Sequence, residues 1–472
     1  MLEHERVQKM NLRRLSTIYS IWQVGHQPVE KILPLRQQRL ENLLQFAINN
    51  SPFYQRFCQG ISPEQMSDIQ RIPPVTKSQL MANFEDWVTD PEITRSKAEA
   101  FIADKSKIGE KFLGKYFLFT TSGTTGVPGI FIHDSDSWFL LGALARIRGL
   151  PDWLDLGMLK DFITKRGLRT ATLVATGGHF AGAAGVNLLI NEHPFLGRFY
   201  QLFSVMDPLP KTVAQLNTYQ PTVLFGYPTA IEMLADEQEA GRLKIDPSLA
   251  LAAGEFLPPS GEEKIANTFN CKVRQIYGAS EFPYIALECS AGRYHINSDW
   301  VIVEPVDENY QTAESGKPSH TVLITNLVNR VQPIIRYDLG DSITMYPTAD
   351  TCPCGRNFPS MKVEGRTNDI LRLVDAAGEK VPILPLAIAT EVEEIPGVRR
   401  FQVIQTQPSI LTLRLESDPE FDQEAVWSNV IYSLSDYLNL HDLSNINIQK
   451  SGEPPHRDPK SGKFRQVWSE VK

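Results

Sequence analysis

The chain has little cysteine, no long apolar run and no excess of basic charge, and each shortage closes off a class of function. Five cysteines in 472 residues are too few, and being odd too unbalanced, for a disulfide framework. Any that cluster are better read as metal ligands. The longest weakly polar stretch, TLVATGGHFAGAAGVNLLI, is interrupted by a glycine-rich turn and His179. A spanning helix needs about 20 predominantly apolar residues, so no membrane partnership is expected. Lysine and arginine total 47 against 55 aspartate and glutamate, a net charge of −8. Nucleic-acid binders need a basic surface to displace counterions, and polybasic anchors need clustered lysine and arginine, so neither is expected. The opening MLEHERVQKMNLRR has no apolar secretory segment, which points to a cytoplasmic protein. What the chain does have is core material. Hydrophobic residues make up 42% and charged residues 22%, enough for a multi-domain enzyme.

Hydrophobic spacing sets out the organisation. In residues 36–58, Leu40, Leu43, Leu44 and Ala47 share one helical face, and Asn49-Asn50-Ser51-Pro52 is a stop signal. Further on, YFLFT (116–120), ATLVAT (171–176), PTVLFG (221–226), LALAAG (249–254) and KVRQIYG (272–278) read as buried strands, most of them separated by helix-length segments. That alternation predicts parallel α/β subdomains with crossover helices. Past residue 290, WVIVEPVD, TVLITNL and PIIRYDLGD look antiparallel and barrel-like. From GRTNDILRL onward a separate small α+β unit is expected, in which FQVIQT pairs with LTLRLE and DQEAVWSNVIYSLSDYLNL forms an amphipathic helix. The fold class is therefore α/β, with a large N-terminal domain and a small C-terminal α+β domain.

The segment richest in chemistry is FTTSGTTGVPG, residues 119–129. Thr121, Ser122, Thr124 and Thr125 surround Gly123 and Gly126. Glycines let backbone N–H groups encircle an anion, and hydroxyls add donors without adding charge. Such a loop suits nucleotide phosphates, although alone it is more often an ordinary surface turn. It is not a Walker loop, since no Gly-Lys-Ser/Thr follows at the required spacing.

TSGTTGVP resembles the signature of the acyl-adenylate-forming superfamily, which includes acyl-CoA ligases and peptide-synthetase adenylation domains. Further segments match that superfamily in order: AAGE (252–255), YGASE (277–281), RYDLGD (336–341), GRTNDIL (365–371) and SGKFR (461–465). RLENLLQFAINNSPFY, the ALEC after YGASE and the CPCGR segment look like its phenylacetate–CoA ligase group. Where the wider superfamily has a lysine after the loop proline, this chain has Gly129, a departure shared by that group. The resemblance implies domains of residues 1–367, which bind ATP and acid, and 368–472, a mobile domain carrying the catalytic lysine.

It also implies a role for each matching residue. Glu281 would hold Mg²⁺, a hard cation suited to a carboxylate and phosphate oxygens. Tyr277 would stack on adenine, with Gly278, Ala279 and Ser280 beside it and Gly254 and Glu255 as the flanking wall. Asp341 would accept from both ribose hydroxyls, and Arg366 would contact the ribose or phosphate end. Lys463 would bridge the substrate carboxylate and the α-phosphate, and Asn368 would be the hinge. His179 and Phe180, with Phe225, Gly226 and Tyr227, are candidates for the acid pocket, although a satisfied loop histidine is an equal reading of His179.

Cys289 and His295 are separated by five residues, and Cys352 and Cys354 by one. A Cys-Pro-Cys-Gly turn brings two thiolates to one point, and Cys₃His is a common closed zinc set. A structural zinc is therefore expected, weighed against free buried thiols. The activity implied is ATP-dependent activation of an aryl or arylalkyl carboxylic acid, with transfer to CoA. The alternatives are an amine or carrier-protein thiol as acceptor, adenylylation of a phenolic hydroxyl, and a degenerate nucleotide-binding scaffold. A homodimer is left open.

Overall fold

The computed structural model describes every residue except 1, 62–67, 122–128, 155, 165–166, 348–349, 367–370, 384, 394, 458–463 and 472. Two long helices open it, α1 (Leu2–Gly25) and α2 (Val29–Asn50). On α2 the apolar face buries Ile32, Leu40, Leu43, Leu44 and Ala47. The helix ends at the expected stop, where the Ser51 hydroxyl caps the next short helix by accepting from Tyr54 N.

The parallel strands are β3 (Thr170–Val174), β4 (Tyr200–Ser204), β5 (Val223–Gly226), β6 (Leu249–Ala253) and β7 (Lys272–Ala279), following a hairpin of β1 (Phe117–Thr120) and β2 (Ile130–His133). Strands β8 (Phe282–Glu288), β9 (Tyr294–Ile296), β10 (Val301–Val306), β11 (Thr321–Asn326), β12 (Ile334–Asp338), β13 (Asp341–Met345) and β14 (Ser360–Arg366) complete this part. Nine of them form one sheet, ordered β13-β14-β9-β8-β7-β6-β5-β3-β4. The half from β4 to β7 is parallel, with the predicted crossover helices between consecutive strands. From β7 to β13 every pairing is antiparallel. Strands β10, β11 and β12 form a separate antiparallel sheet, in keeping with the antiparallel pairing expected past residue 290.

One expected strand behaves differently. YFLFT does not enter the parallel sheet but pairs antiparallel with β2, from Phe117 opposite His133 to Thr120 opposite Ile130. Its burial on all sides, which reads in sequence like a parallel strand, comes from packing between other elements.

After residue 370 come β15 (Leu371–Val374), β16 (Lys380–Ile383), β17 (Val398–Gln407), β18 (Ile410–Ser417), β19 (Asn447–Lys450) and β20 (Val467–Ser469). FQVIQT and LTLRLE pair as expected within β17 and β18, in the sheet β19-β18-β17-β20. The helix Gln423–Leu440 buries Val426, Val430, Leu434 and Leu438, a stripe at every fourth position. These elements share a hydrophobic core drawn from Leu371 onward. The domain boundary expected at 367/368 lies outside the described residues. Among the described residues, no helix is long and apolar enough to cross a membrane.

Candidate active site

The two residues that flank 122–128 are bonded to each other. Thr121 N donates to Gly129 O at 3.0 Å, and Gly129 N donates back to the Thr121 hydroxyl at 2.8 Å. Ser122, Gly123, Thr124, Thr125 and Gly126 lie outside the described residues. At Gly129, an added Cβ would come within 2.5 Å of the Phe131 ring. That contact gives a local reason why a lysine does not follow the loop proline here.

The hairpin is held by buried side-chain amides rather than by a third strand. Gln332 accepts from Ile132 N at 2.7 Å and donates to Ile130 O at 3.2 Å. Asn329 donates to Ile132 O at 2.8 Å. On the other strand, Thr120 N donates to His179 O at 2.8 Å, and Thr120 bridges to Phe180. His179 and Phe180 are thus brought against the β1–β2 hairpin. The His179 ring is buried against Phe101, with centroids 5.0 Å apart, and burial lowers its pKa. Among the described residues, no hydrogen bond satisfies its Nε2.

Glu281 follows β7 and is buried. The backbone on either side of its side chain is braced. The Ser280 carbonyl accepts from His133 Nε2 at 2.8 Å, and the Glu281 carbonyl accepts from Asn326 Nδ2 at 3.0 Å. Because Nε2 must carry the proton, His133 Nδ1 is left to accept from the Ser137 hydroxyl, 3.2 Å away. Burial pulls the His133 pKa down to about 4, although the Ser280 hydrogen bond opposes the shift. Gly278 is dictated by contact, since a Cβ there would fall 1.9 Å from Pro283 O across the β7–β8 turn. His133, Asn326, Asn329 and Gln332 carry no recognisable spacing, so sequence reasoning missed them.

Tyr277 and Asp341 are brought together. The buried tyrosine donates its phenolic proton to Asp341 Oδ2 at 2.7 Å. Asp341 opens β13, and its cross-strand partner on β14 is Arg366. The other aspartate of RYDLGD, Asp338, is committed to its own turn. It accepts from the Thr321 hydroxyl at 2.6 Å, from Gly340 N at 3.0 Å and from the Tyr310 hydroxyl at 3.0 Å. Of the two carboxylates, Asp341 is therefore the one set beside the tyrosine.

The acid-pocket candidates at the end of β5 are divided between faces. Phe225 packs with Trp153 and Met158, whereas Tyr227 belongs to the cluster on the opposite side with Leu224 and Ile231. Gly226 lies between them, and Tyr227 N donates to Leu173 O at 3.1 Å. Burial and then the Glu255 charge push the Tyr227 pKa up to about 12. The Glu255 carboxylate accepts from the Thr229 hydroxyl at 2.7 Å and from Phe464 N at 2.7 Å, while Gly254 beside it has a positive φ of 87°. Lys463 and Asn368 lie outside the described residues. The stems of the loop before Phe464 are clamped by Gln402, which donates to His456 O at 2.8 Å and to Arg465 O at 3.0 Å.

A second constellation gathers Cys289, His295, Cys352 and Cys354, whose ligand atoms all lie within 4.8 Å of one another. The Cys354 thiol is 3.2 Å from His295 Nε2, and Cys289 and Cys352 are 3.7 Å apart. His295 Nδ1 donates to Phe358 O at 2.9 Å, which fixes the tautomer and leaves the Nε2 lone pair facing the thiols. Ala291 N donates to the Cys289 sulfur at 3.4 Å. Burial pushes the Cys354 thiol up to about 12, an opposition to ionisation that a divalent cation would remove.

No family model matches the chain. It is 24% identical over 473 residues to the phenylacetate–coenzyme A ligase of Thermus thermophilus, an alignment covering 93% of this chain and 97% of that protein. In structure it is similar to 2-hydroxyisobutyryl-CoA ligase in the postadenylation state with R3-HIB-AMP, with a TM-score of 0.67, 19% identity, and coverage of 95% of this chain and 91% of that one. The same ligase in the thioesterification state with 2-HIB-AMP and CoA gives a TM-score of 0.56 at 20% identity, covering 94% of this chain and 91% of that one. The fold is thus that of the adenylate-forming ligases, a large N-terminal domain followed by a smaller one. Within that fold, the likeness to the phenylacetate–CoA ligase group extends over almost the whole chain.

Proposed function

We propose that the protein is an AMP-forming acid–CoA ligase. A carboxylate oxygen of the acid attacks the α-phosphorus of ATP, and the bond to pyrophosphate breaks to leave an acyl-adenylate. The thiol of CoA, losing its proton, then attacks the acyl carbon and AMP departs. The observation that carries this reading is the pairing of Tyr277 with Asp341 at 2.7 Å. It sets a base-stacking ring and a ribose acceptor side by side at the end of the strand that leads to Glu281.

In this reading Asp341 accepts from the ribose hydroxyls, and its bond to Tyr277 keeps the ring and the carboxylate in one register. The hairpin held by Gln332 and Asn329 presents the phosphate loop. His179 and Phe180, tied to Thr120, border the acid, and the Tyr227 side of β5 contributes to the same pocket. Glu281, with its backbone fixed by His133 and Asn326, would hold a magnesium ion, a hard cation suited to a carboxylate. When bound, such an ion would neutralise phosphate charge that no lysine meets at Gly129. Lys463, on the domain placed at 368–472, adds the second positive charge where two anions meet.

Cys289, His295, Cys352 and Cys354 hold one structural zinc in this reading. Three thiols, one oriented imidazole and no spare donor fit a closed tetrahedral site. A cytoplasmic location belongs to the same proposal, supported by the −8 charge and sparse cysteine.

The test is a panel of aryl, arylalkyl and short hydroxy acids assayed for ATP-dependent pyrophosphate release, with CoA, amines or a carrier protein then added as acceptor. Release with at least one acid, followed by thioester formation with CoA, is expected. Adenylation followed by amide formation alone would move the acceptor from CoA to an amine. No release with any acid, from protein that binds ATP, would overturn the reading.

A further inference from the structure

The two domains meet at a contact between residues of two sequence motifs, Glu255 of AAGE and Phe464 of SGKFR. Glu255 sits at the end of β6, where its carboxylate is held from its own side by the first turn of the helix Pro228–Glu239. One oxygen, Oε2, accepts from the Thr229 hydroxyl at 2.7 Å and from Thr229 N at 3.3 Å. The other, Oε1, reaches across to the C-terminal domain and accepts from Phe464 N at 2.7 Å. A carboxylate fixed in this way is a preorganised acceptor, and its bond to a backbone amide is charge-assisted.

Two further features make the contact specific to one domain orientation. Arg457, from the same C-terminal segment, donates to the sulfur of Met233 at 3.1 Å on that helix. Burial lowers the pKa of its guanidinium, and the Glu255 charge opposes that shift. The segment also has a rigid base within its own domain, because Gln402 holds both His456 and Arg465. A pull on Phe464 is therefore transmitted to the body of the small domain. The whole-chain likeness is greater to the postadenylation arrangement of the related ligase than to its thioesterification arrangement.

We infer that Glu255 is an interdomain latch, a positioning residue that stabilises the small domain in the orientation used for adenylation and lets go when the domain turns. This rests on the proposed two-step reaction. It requires no particular side chain at position 464, because the donor is backbone. Glu255 would then act on the first half-reaction through domain orientation, in addition to any contact that its backbone makes with adenine.

Glu255→Ala and the isosteric Glu255→Gln, made in the full chain, test this by two independent readouts. Hydrogen–deuterium exchange at the Phe464 amide, read from a peptide that begins several residues before it, should quicken in Glu255→Ala by about tenfold or more, the scale of one charge-assisted bond, with Glu255→Gln between it and the parent. In single turnovers at saturating ATP, adenylation should fall at least about tenfold more than thioester formation from supplied acyl-adenylate. Unchanged exchange in both variants would overturn the latch. So would an equal fall in the two half-reactions, or an effect confined to ATP affinity. If the parent releases no pyrophosphate with any acid, the functional reading fails, and the exchange measurement still decides the contact.

Discussion

Replacing His133 with glutamine should change how the protein responds to acid. The ring is fully buried, with Nε2 donating to the Ser280 carbonyl and Nδ1 accepting from Ser137. Its pKa falls from 6.5 to about 4, chiefly through burial. An unfolded chain takes up this proton near the ordinary value, whereas the folded chain resists until near the lowered one. Below the ordinary value the unfolded state therefore binds more protons, and stability declines as pH drops through the window between the two. Each unit of difference corresponds to about 1.4 kcal/mol, so the full decline attributable to this ring is about 3 kcal/mol. Glutamine does not titrate there and can still donate to Ser280. Urea denaturation of parent and variant between neutrality and mild acid should show the parent losing stability more steeply, by up to about 1.4 kcal/mol per pH unit. Parallel curves would refute the buried neutral imidazole, and with it the brace on the segment leading to Glu281.

Three other substitutions and one metal removal follow from the site. Tyr277→Phe keeps the ring but loses the donor to Asp341, and should weaken ATP binding roughly tenfold, with Asp341→Ala weakening it further; calorimetric titration giving the parent affinity for both would remove them from the ribose end. Lys463→Ala should impair adenylate formation far more than ATP binding, and equal losses would count against a charge that acts in the transition state. Protein purified without chelator should contain one zinc per chain. Stripping that metal should lower the melting temperature and loosen the segment after Glu281, whereas well under one equivalent with four titratable thiols would sink the assignment.

The larger elements were legible because their patterns are local. The helix stop at Asn49–Pro52, the parallel strands and the β17–β18 pair all follow from periodicity and turn residues. YFLFT was not, since burial on every side looks the same in a two-stranded hairpin as in a parallel sheet. The gathering of Cys289, His295, Cys352 and Cys354 was readable from cysteine and histidine, whose chemistry limits their uses. Its Phe358 carbonyl was not, because any residue supplies one. The residues that hold the site together escaped for a similar reason. Asn326, Asn329, Gln332 and Gln402 are ordinary amides until the fold turns them toward a particular backbone group. His133 is 147 positions from the carbonyl it supports, beyond the reach of any local pattern.

The nine-stranded sheet has a mechanical consequence. Parallel and antiparallel halves meet at β7, which is bonded to β6 on one edge and to β8 on the other. Strand β13, which carries Asp341, and strands β3 and β5 are therefore parts of one plate, not two lobes that hinge on each other. Load applied at either edge converges on Tyr277 to Ser280, where the plate changes direction. A plate of this kind resists bending. Among the described residues, the strands beyond β14 belong to other sheets, so deformation of one body is not passed to the other through strand-to-strand hydrogen bonds.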